Sequence, residues 1–200
     1  MSEASVPHLG SLPSRLTRLY GGLALYGLGI GLQVRSGLGN GPWDTFHQGL
    51  ARHLGLSIGT MIIMVGALVM LLWIPMRQRP GLGTISNVIF VGLFADAALF
   101  VLPVPGHWAL SWLYLALALV SIALATVLYI GAGMGPGPRD GLMTGLVRLG
   151  LSLRLGRFLI EVTVLAAGWL LGGTVGVGTL VFALAIGPLT QLFARRFPLT

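Results

Sequence analysis

The sequence predicts an all-α integral membrane protein in which six transmembrane helices form two inverted-topology repeats of three helices. The composition is the first observation behind that prediction, since 55% of the residues are hydrophobic, 8% are charged and the mean hydropathy is +0.90. Charged residues make up about a quarter of a typical soluble domain. The other two observations are six apolar segments and a motif that occurs twice.

The six apolar segments lie between the charged residues, and a transmembrane helix needs roughly 20 such residues. The first 14 residues (1–14) are interpreted as a cytoplasmic tail, residues 15–105 as the first membrane repeat and residues 106–200 as the second. Trp73, Trp108 and Trp112 suit the aromatic belts of a membrane protein. The predicted spans are Leu19–Val34, Leu56–Met76, Leu82–Leu102, Leu110–Ile130, Phe158–Thr174 and Val175–Phe193.

The arginines predict the orientation, because cytoplasmic loops of membrane proteins carry an excess of basic residues. With a cytoplasmic N-terminus, the outer side receives only Arg35 and Arg52. Both termini are therefore expected in the cytoplasm. The net charge of +7 is spread over helix ends rather than gathered in a patch, so no nucleic-acid partner is predicted. The inner arginines are then Arg15, Arg18, Arg77, Arg79, Arg139, Arg148, Arg154, Arg157, Arg195 and Arg196.

A glycine-rich motif occurs as GLGNGPWDTFHQGL at Gly37–Leu50 and as GMGPGPRDGLMTGL at Gly133–Leu146. A shift of 95 residues also places GLGT (residues 81–84) on GVGT (residues 176–179). Several matches in the same order indicate a duplication. Because each copy holds three spans, the second copy enters the membrane from the opposite side, an arrangement that recurs in secondary transporters and is also found in channels.

Each motif begins a short helix, since proline suits the first helical position and an acid in the first turn offsets the helix dipole. The helix from Pro42 has about 13 residues and a length of about 20 Å, too short for a hydrocarbon core of about 30 Å. It either lies flat at the membrane interface or is re-entrant and reaches the midplane. The re-entrant alternative brings Asp44 and Asp140 together.

The other candidate residues each have two interpretations. Asp96 in the third span is expensive to bury, about 2.5–3.5 kcal/mol on insertion scales. It therefore either faces a cavity or a partner, for which Arg35 and the Asp44 segment are candidates, or is hydrated near the outer interface. His47 is either a proton carrier or part of a polar helix face. Arg139 is either an anion ligand or an orientation charge. The predicted substrate or ion pathway comprises Gly41, Pro42, Trp43, Asp44, His47, Asp96, Gly137, Pro138, Arg139 and Asp140.

Several functions are excluded or disfavoured. The chain has no cysteine for a disulfide or a thiolate site and no lysine for a P-loop, and it contains no HExxH or G-x-S-x-G motif. No catalytic residue, metal or cofactor is predicted, and the chain is not expected to be an enzyme. Glu161 lies one helical turn after Arg157, which predicts an i, i+4 ion pair rather than a catalytic acid.

The leading interpretation is a transporter or channel-like permease for a small solute or ion. Asp44 and Asp140 would flank its central site, and Asp96 would respond to protons or cations. The alternative is a non-transporting scaffold or accessory subunit of a partner complex, which predicts no cavity. The lipid bilayer is the expected surrounding, and Gly27-x-x-x-Gly31 packs spans within one chain or between two copies of a homodimer.

The stretch GLGNGPWDTFHQGLARHLGLSIGT, followed by GLGTISNVIFVGLFAD, resembles the YczE/YyaS/YitT family of bacterial multi-pass inner-membrane proteins, and most closely the YczE-like branch. The resemblance covers nearly the whole chain and implies a bacterial inner-membrane location. Members are often interpreted as transporters, and their function is poorly defined. The second copy departs from the pattern because Arg139 stands in place of Trp43. The positions that the resemblance marks are Gly39, Pro42, Trp43, Asp44, Gly83, Thr84 and Asp96.

Overall fold

The computed structural model describes residues 11–148, 150 and 152–196, and at Arg148 it describes the backbone only. Most of the predicted cytoplasmic tail lies outside these residues, and its last three residues already belong to the first helix. The described part of the chain forms eight α-helices, four in each of the two predicted copies. They are α1 Leu12–Ser36, α2 Pro42–Leu54, α3 Ile58–Leu71, α4 Leu82–Val101, α5 Trp108–Ile130, α6 Pro138–Arg148, α7 Leu153–Leu170 and α8 Val177–Arg196.

The prediction of an all-helical membrane protein is confirmed at this level. α4, α5 and α8 are long and apolar enough to cross a membrane. α2 and α3 form a fourth candidate, which is bent by 112° at the break between them. Six crossings in inverted repeats stay a prediction. The predicted span Leu56–Met76 is helical as the shorter α3, and Phe158–Thr174 corresponds to α7, which begins earlier and ends earlier.

α1 lies between α4 and α5 and is packed closely against both. A Cβ atom on Gly27 would lie 2.5 Å from Cβ of Phe94, and one on Gly31 would lie 2.5 Å from Cβ of Ala98, both on α4. A Cβ on Gly29 would lie 2.6 Å from Ile122 on α5. The Gly27-x-x-x-Gly31 motif therefore packs helices within one chain, as small residues commonly do in membranes.

The two glycine-rich loops have matching backbone conformations. Gly39 has φ +121° and its counterpart Gly135 has φ +114°, a region that side-chain-bearing residues rarely adopt. A Cβ on Gly39 would lie 2.7 Å from Oγ1 of Thr179, and one on Gly135 would lie 2.8 Å from Oγ1 of Thr84. Glycine is therefore required at both positions for two reasons: the backbone conformation there, and the close approach of another helix.

Each loop contacts the start of the last helix of the other copy. The backbone N–H of Gly83, in the first turn of α4, donates to the carbonyl of Met134 at 2.7 Å. The backbone N–H of Gly178, in the first turn of α8, donates to the carbonyl of Leu38 at 2.7 Å. The duplicated residues thus make a matched pair of contacts between the two halves of the chain.

Trp73 does not have the exposed ring that is expected of an aromatic belt. Its side chain is buried, and Nε1 donates to the carbonyl of Pro138 at 3.1 Å. The ring occupies the space that a side chain on Gly141 would need. Trp73 therefore anchors the region after α3 against the first turn of α6, because its only donor finds a buried partner there.

Candidate functional site

A cavity of about 550 Å³ lies between the two Gly-Pro-x-Asp motifs. All four residues of each motif line it, namely residues 41–44 and residues 137–140. The structure therefore brings eight of the ten predicted pathway residues to one cavity. His47 lies buried behind this lining, and Asp96 lies elsewhere.

The two motifs present their carboxylates through the same local geometry. Pro42 opens α2 and Pro138 opens α6, as the sequence predicts. The first helical hydrogen bond runs from the backbone N–H of Thr45 to the carbonyl of Gly41 at 2.9 Å, and in α6 from Gly141 to Gly137 at 3.0 Å. The acid lies in the first turn of each helix, where the positive end of the helix dipole stabilises a negative charge.

Asp44 is the most buried charged side chain of the cavity, with 6% of its side chain exposed. Its Oδ1 atom accepts no hydrogen bond. The nearest cationic or titratable groups are Nδ1 of His47 at 3.6 Å and Nη2 of Arg139 at 3.9 Å. A buried acceptor without a donor costs about 1–3 kcal/mol, so this oxygen calls for an explanation.

Arg139 reaches across the cavity to the first copy. Its guanidinium carbon lies 4.8 Å from the centroid of the Trp43 ring, within the range of a cation–π interaction. Nη2 also lies 3.5 Å from Nδ1 of His47, which accepts in the tautomer that carries its hydrogen on Nε2. Trp43 and Arg139 are counterparts in the duplication, and here they form one cluster with Asp44.

Asp140 has different surroundings from its counterpart. Its side chain is exposed, and Oδ2 accepts a hydrogen bond of 2.5 Å from the hydroxyl of Tyr129. The ring of Tyr129 in turn contacts Tyr26 edge-on, with the centroids 6.2 Å apart. Sequence reasoning missed both tyrosines, because a tyrosine within an apolar span has no spacing pattern that links it to a distant acid.

Asp96 is on α4, packed against the start of α3, and lies outside the cavity. Its Oδ2 accepts a hydrogen bond of 2.5 Å from Oγ of Ser57, and its Oδ1 accepts one of 2.8 Å from the backbone N–H of Gly59. The expected partners, Arg35 and the Asp44 segment, are wrong, since Arg35 donates to the carbonyl of Leu99 instead. Asp96 borders a separate surface depression of about 740 Å³ together with Arg35 and Arg52.

Buried polar side chains, among them Gln48 of the lining, lie beside this depression. Nδ2 of Asn40 donates to Oε1 of Gln48 at 2.9 Å, and the same oxygen accepts from the backbone N–H of Thr174 at 2.6 Å. Nε2 of Gln33 donates to the carbonyl of Gly39 at 3.5 Å. Sequence reasoning gave these residues no role, although uncharged polar residues inside apolar segments are a usable signal.

The predicted ion pair between Arg157 and Glu161 is confirmed. Nε of Arg157 donates to Oε1 of Glu161 at 2.8 Å, and both side chains are exposed, at 62% and 36%. Both residues also line the cavity, together with Gln191 of α8. The cavity therefore extends from the buried Asp44 along α7 and α8 to the surface.

The helices and the cavity between them define a multi-pass membrane protein. The chain belongs to the DUF6198 family, a family of unknown function whose model matches residues 13–195. It is 38% identical over 172 residues to an uncharacterized protein of Haemophilus influenzae, covering 86% of this chain and 79% of that protein. It is 34% identical over 176 residues to the uncharacterized membrane protein YczE of Bacillus subtilis, covering 86% and 82%.

A further relative is the uncharacterized protein YyaS of Bacillus subtilis, with 31% identity over 81 residues, or 40% of each chain. No solved structure matches the chain. The resemblance to the YczE-like proteins that the first motif predicts is confirmed by these relatives.

Proposed function

We propose that the chain is a permease for a small solute and that the cavity between the two Gly-Pro-x-Asp motifs is its site. The observation that supports the proposal is that both motifs line one cavity and that Asp44 is buried there with an unsatisfied oxygen. Transporters with inverted repeats bind their substrates between broken helices of the two halves. The scaffold alternative predicts no cavity, so the cavity favours the permease.

The proposal includes six crossings, arranged as two repeats of opposite orientation, in the bacterial inner membrane. α1 has 25 residues, about 37 Å of helix, which is long enough to cross despite its many glycines. Only the last three of the 13 residues of α2, Arg52, His53 and Leu54, are exposed. A helix lying flat at the interface would leave one face in contact with lipid headgroups, so this burial favours the re-entrant alternative.

The charge distribution supports a cavity that opens to the cytoplasm. Along α7 the lining runs from Glu161 to Leu153, and along α8 from Phe182 to Ala194. These helix ends carry the arginines that the positive-inside rule assigns to the cytoplasm. The separate depression carries Arg35 and Arg52, which the same rule assigns to the outside. The proposal therefore has both termini in the cytoplasm.

One turn of α2 divides the two openings. Asp44 lines the cavity and Gln48, four residues later, lines the outer depression, a separation of about 6 Å along the helix. The hydrogen bonds of Gln48 to Asn40 and Thr174 close the outer side. In the proposed cycle these bonds break when the site opens outward, because rocking one repeat against the other moves α2 away from residue 174.

Solute entry into proteoliposomes tests the proposal. Light scattering would follow the swelling of vesicles in iso-osmotic xylitol, glycine betaine, sodium butanesulfonate or n-butylguanidinium chloride, with an ionophore that carries the inorganic counter-ion present in all vesicles. We expect at least one probe to enter faster than in protein-free vesicles, and Asp44→Asn and Asp140→Asn each to lower that rate about tenfold. Leu170→Ala is the matched control, since Leu170 is 81% exposed and lies away from the cavity lining.

Two results would refute the permease. One is that all four probes enter at the rate of protein-free vesicles. The other is that entry through the protein is the same in the two aspartate variants as in the parent chain.

A further inference from the structure

We infer that the cavity takes an organic cation with an apolar body, and that Arg139 occupies the cation site of Trp43 and Asp44 until the substrate displaces it. The inference rests on the proposed function, because it names the substrate class of that same cavity. It is carried by the charges of the lining, by the geometry at Asp44 and by the apolar walls.

The buried end of the cavity carries a negative charge, that of Asp44. Among the described lining residues, three carboxylates (Asp44, Asp140 and Glu161) face two guanidinium groups (Arg139 and Arg157). The side chain of Asp44 is 6% exposed, whereas those of the two arginines are 26% and 62% exposed. A solute that moves inward from the surface therefore meets a carboxylate at the deepest point.

Trp43 and Asp44 together have the chemistry of a cation site, since an aromatic face and a carboxylate both attract a positive charge. Arg139 fills this site incompletely. Its Nη2 lies 3.9 Å from Oδ1 of Asp44, whereas a charge-assisted hydrogen bond measures about 2.7–2.9 Å. The oxygen stays without a donor, so a free guanidinium or ammonium group has a bond to gain there that Arg139 does not make.

The duplication explains how a tethered cation came to this site. In the first copy the motif reads Gly-Pro-Trp-Asp, and in the second it reads Gly-Pro-Arg-Asp. The tryptophan supplies half of the cation site, and the arginine at the equivalent position of the other motif projects into it. Arg139 thus acts as a competitor that is permanently attached to the protein.

The walls fit an apolar body attached to the cation. Ile62 and Val65 of α3, Val88 of α4 and Ile122 of α5 line the cavity between the two motifs. A volume of about 550 Å³ lies within the range of sites for small organic molecules, which are mostly apolar with a few placed polar groups. An inorganic cation would leave these walls without a contact.

An anion is the competing occupant, because the starts of α2 and α6 both face the cavity and helix N-termini attract anions. Both first turns already contain a carboxylate, Asp44 and Asp140, which offsets the dipole. Arg157 is bonded to Glu161. An anion would have to approach past these carboxylates, so the observations favour the cation.

Calorimetric titration of the purified full chain in detergent tests the inference with two probes of matched length, n-butylguanidinium chloride and sodium butanesulfonate. Removing the tethered competitor should strengthen cation binding, so we expect Arg139→Gln to bind n-butylguanidinium about tenfold more tightly than the parent chain. Arg157→Gln, which removes another charge of the same sign from the lining, should change the affinity less than threefold.

The carboxylate and the ring supply the second arm of the test. Asp44→Asn should abolish binding of the cation. If that variant does not fold, Trp43→Leu should weaken binding about fivefold while Trp43→Phe retains most of it, because a phenyl ring still offers an aromatic face.

Three results would overturn the inference: weaker cation binding in Arg139→Gln, an equal gain in Arg157→Gln, or butanesulfonate binding that Arg139→Gln removes. Binding in detergent needs no transport. If the cation binds with the expected gain but no solute enters vesicles, the permease proposal is refuted and the cation site stands. If butanesulfonate enters vesicles and Arg139→Gln abolishes that entry, the cation site is refuted and the permease proposal stands.

Discussion

The last two helices of the first copy, α3 and α4, pack differently from their counterparts in the second copy, α7 and α8. In the first copy α3 lies directly against α4, and a Cβ on Gly92 would come within 2.5 Å of the carbonyl oxygen of Gly59. In the second copy α7 and α8 make little contact. A Cβ on Gly187, the counterpart of Gly92, would have no atom within 4 Å.

The sequence contains the cause of this difference. The N-cap residues Ser57 and Ser152 each accept a hydrogen bond from the backbone three residues later, which fixes the alignment of α3 with α7. In that alignment three small or apolar positions of α3 become charged in α7. The pairs are Gly59 and Arg154, Ile62 and Arg157, and Gly66 and Glu161.

The open pair, α7 and α8, rather than the closed pair, α3 and α4, leaves space for a site between its helices. Glycine at the helix contact permits close packing, whereas long charged side chains at the same positions hold the helices apart and need water or a polar partner. The cavity lies along the open α7–α8 pair, and the closed α3–α4 pair forms its opposite wall. Divergence at the contact, rather than the shared fold, distinguishes the two halves.

The largest expected effect distinguishes the closed pair from the open one. Gly92→Leu inserts a side chain where Gly59 already lies, so the free energy of unfolding should fall by about 3 kcal/mol. Gly187→Leu, the matched variant, should change it by less than about 1 kcal/mol. Reversible unfolding in mixed micelles measures both, and equal losses in the two variants would contradict the difference in packing.

Converting the open pair to the residues of the closed pair should close the cavity. The substitutions are Arg157→Ile and Glu161→Gly, combined with Gly187→Cys as a reporter. The chain has no cysteine, so a water-soluble maleimide reacts at the introduced residue alone. We expect the labelling rate to fall about tenfold.

Glu161→Gln in the same reporter background is the control, because it removes the charge and keeps the size of the side chain. It should leave labelling within about twofold of the parent rate. Unchanged labelling in the converted chain would show that the charged residues do not hold α7 and α8 apart.

A smaller effect is expected at Asp96, which belongs to the closed pair. Asp96→Asn weakens the hydrogen bond from Ser57 while an amide oxygen still accepts from Gly59, so the loss of stability should be about 1 kcal/mol. Gln191→Ala, at the exposed counterpart in α8, should have no measurable effect. Solute entry that Asp96→Asn abolishes without a loss of stability would restore a transport role for this residue.

The sequence predicts the local features of the fold well, because they depend on neighbouring residues. Pro42 and Pro138 begin helices as expected, and Asp44 and Asp140 lie in their first turns. The duplicated glycines adopt the matching conformations that the repeat implies. These features follow from steric limits of the backbone and from spacing within a few residues.

The features that the sequence does not predict depend on residues far apart in the chain. Trp73 is buried because Pro138, 65 residues later, accepts its N–H bond. Asp96 bonds to the start of α3, 37 residues earlier, and Arg139 meets Trp43 across the cavity. The separation of α7 from α8 is partly predictable from sequence. Aligning the two copies residue by residue shows that α7 carries charged residues where α3 has small or apolar ones.

The most direct test of opposite insertion of the two copies is single-cysteine labelling at their equivalent breaks. Leu54 lies at the α2–α3 break and is 56% exposed, and Leu153 lies at the α6–α7 break and is 55% exposed. With a membrane-impermeant maleimide, Leu54→Cys should react in intact cells and Leu153→Cys should react only in inside-out vesicles. Reaction of both cysteines from the same side of the membrane would contradict the inverted arrangement.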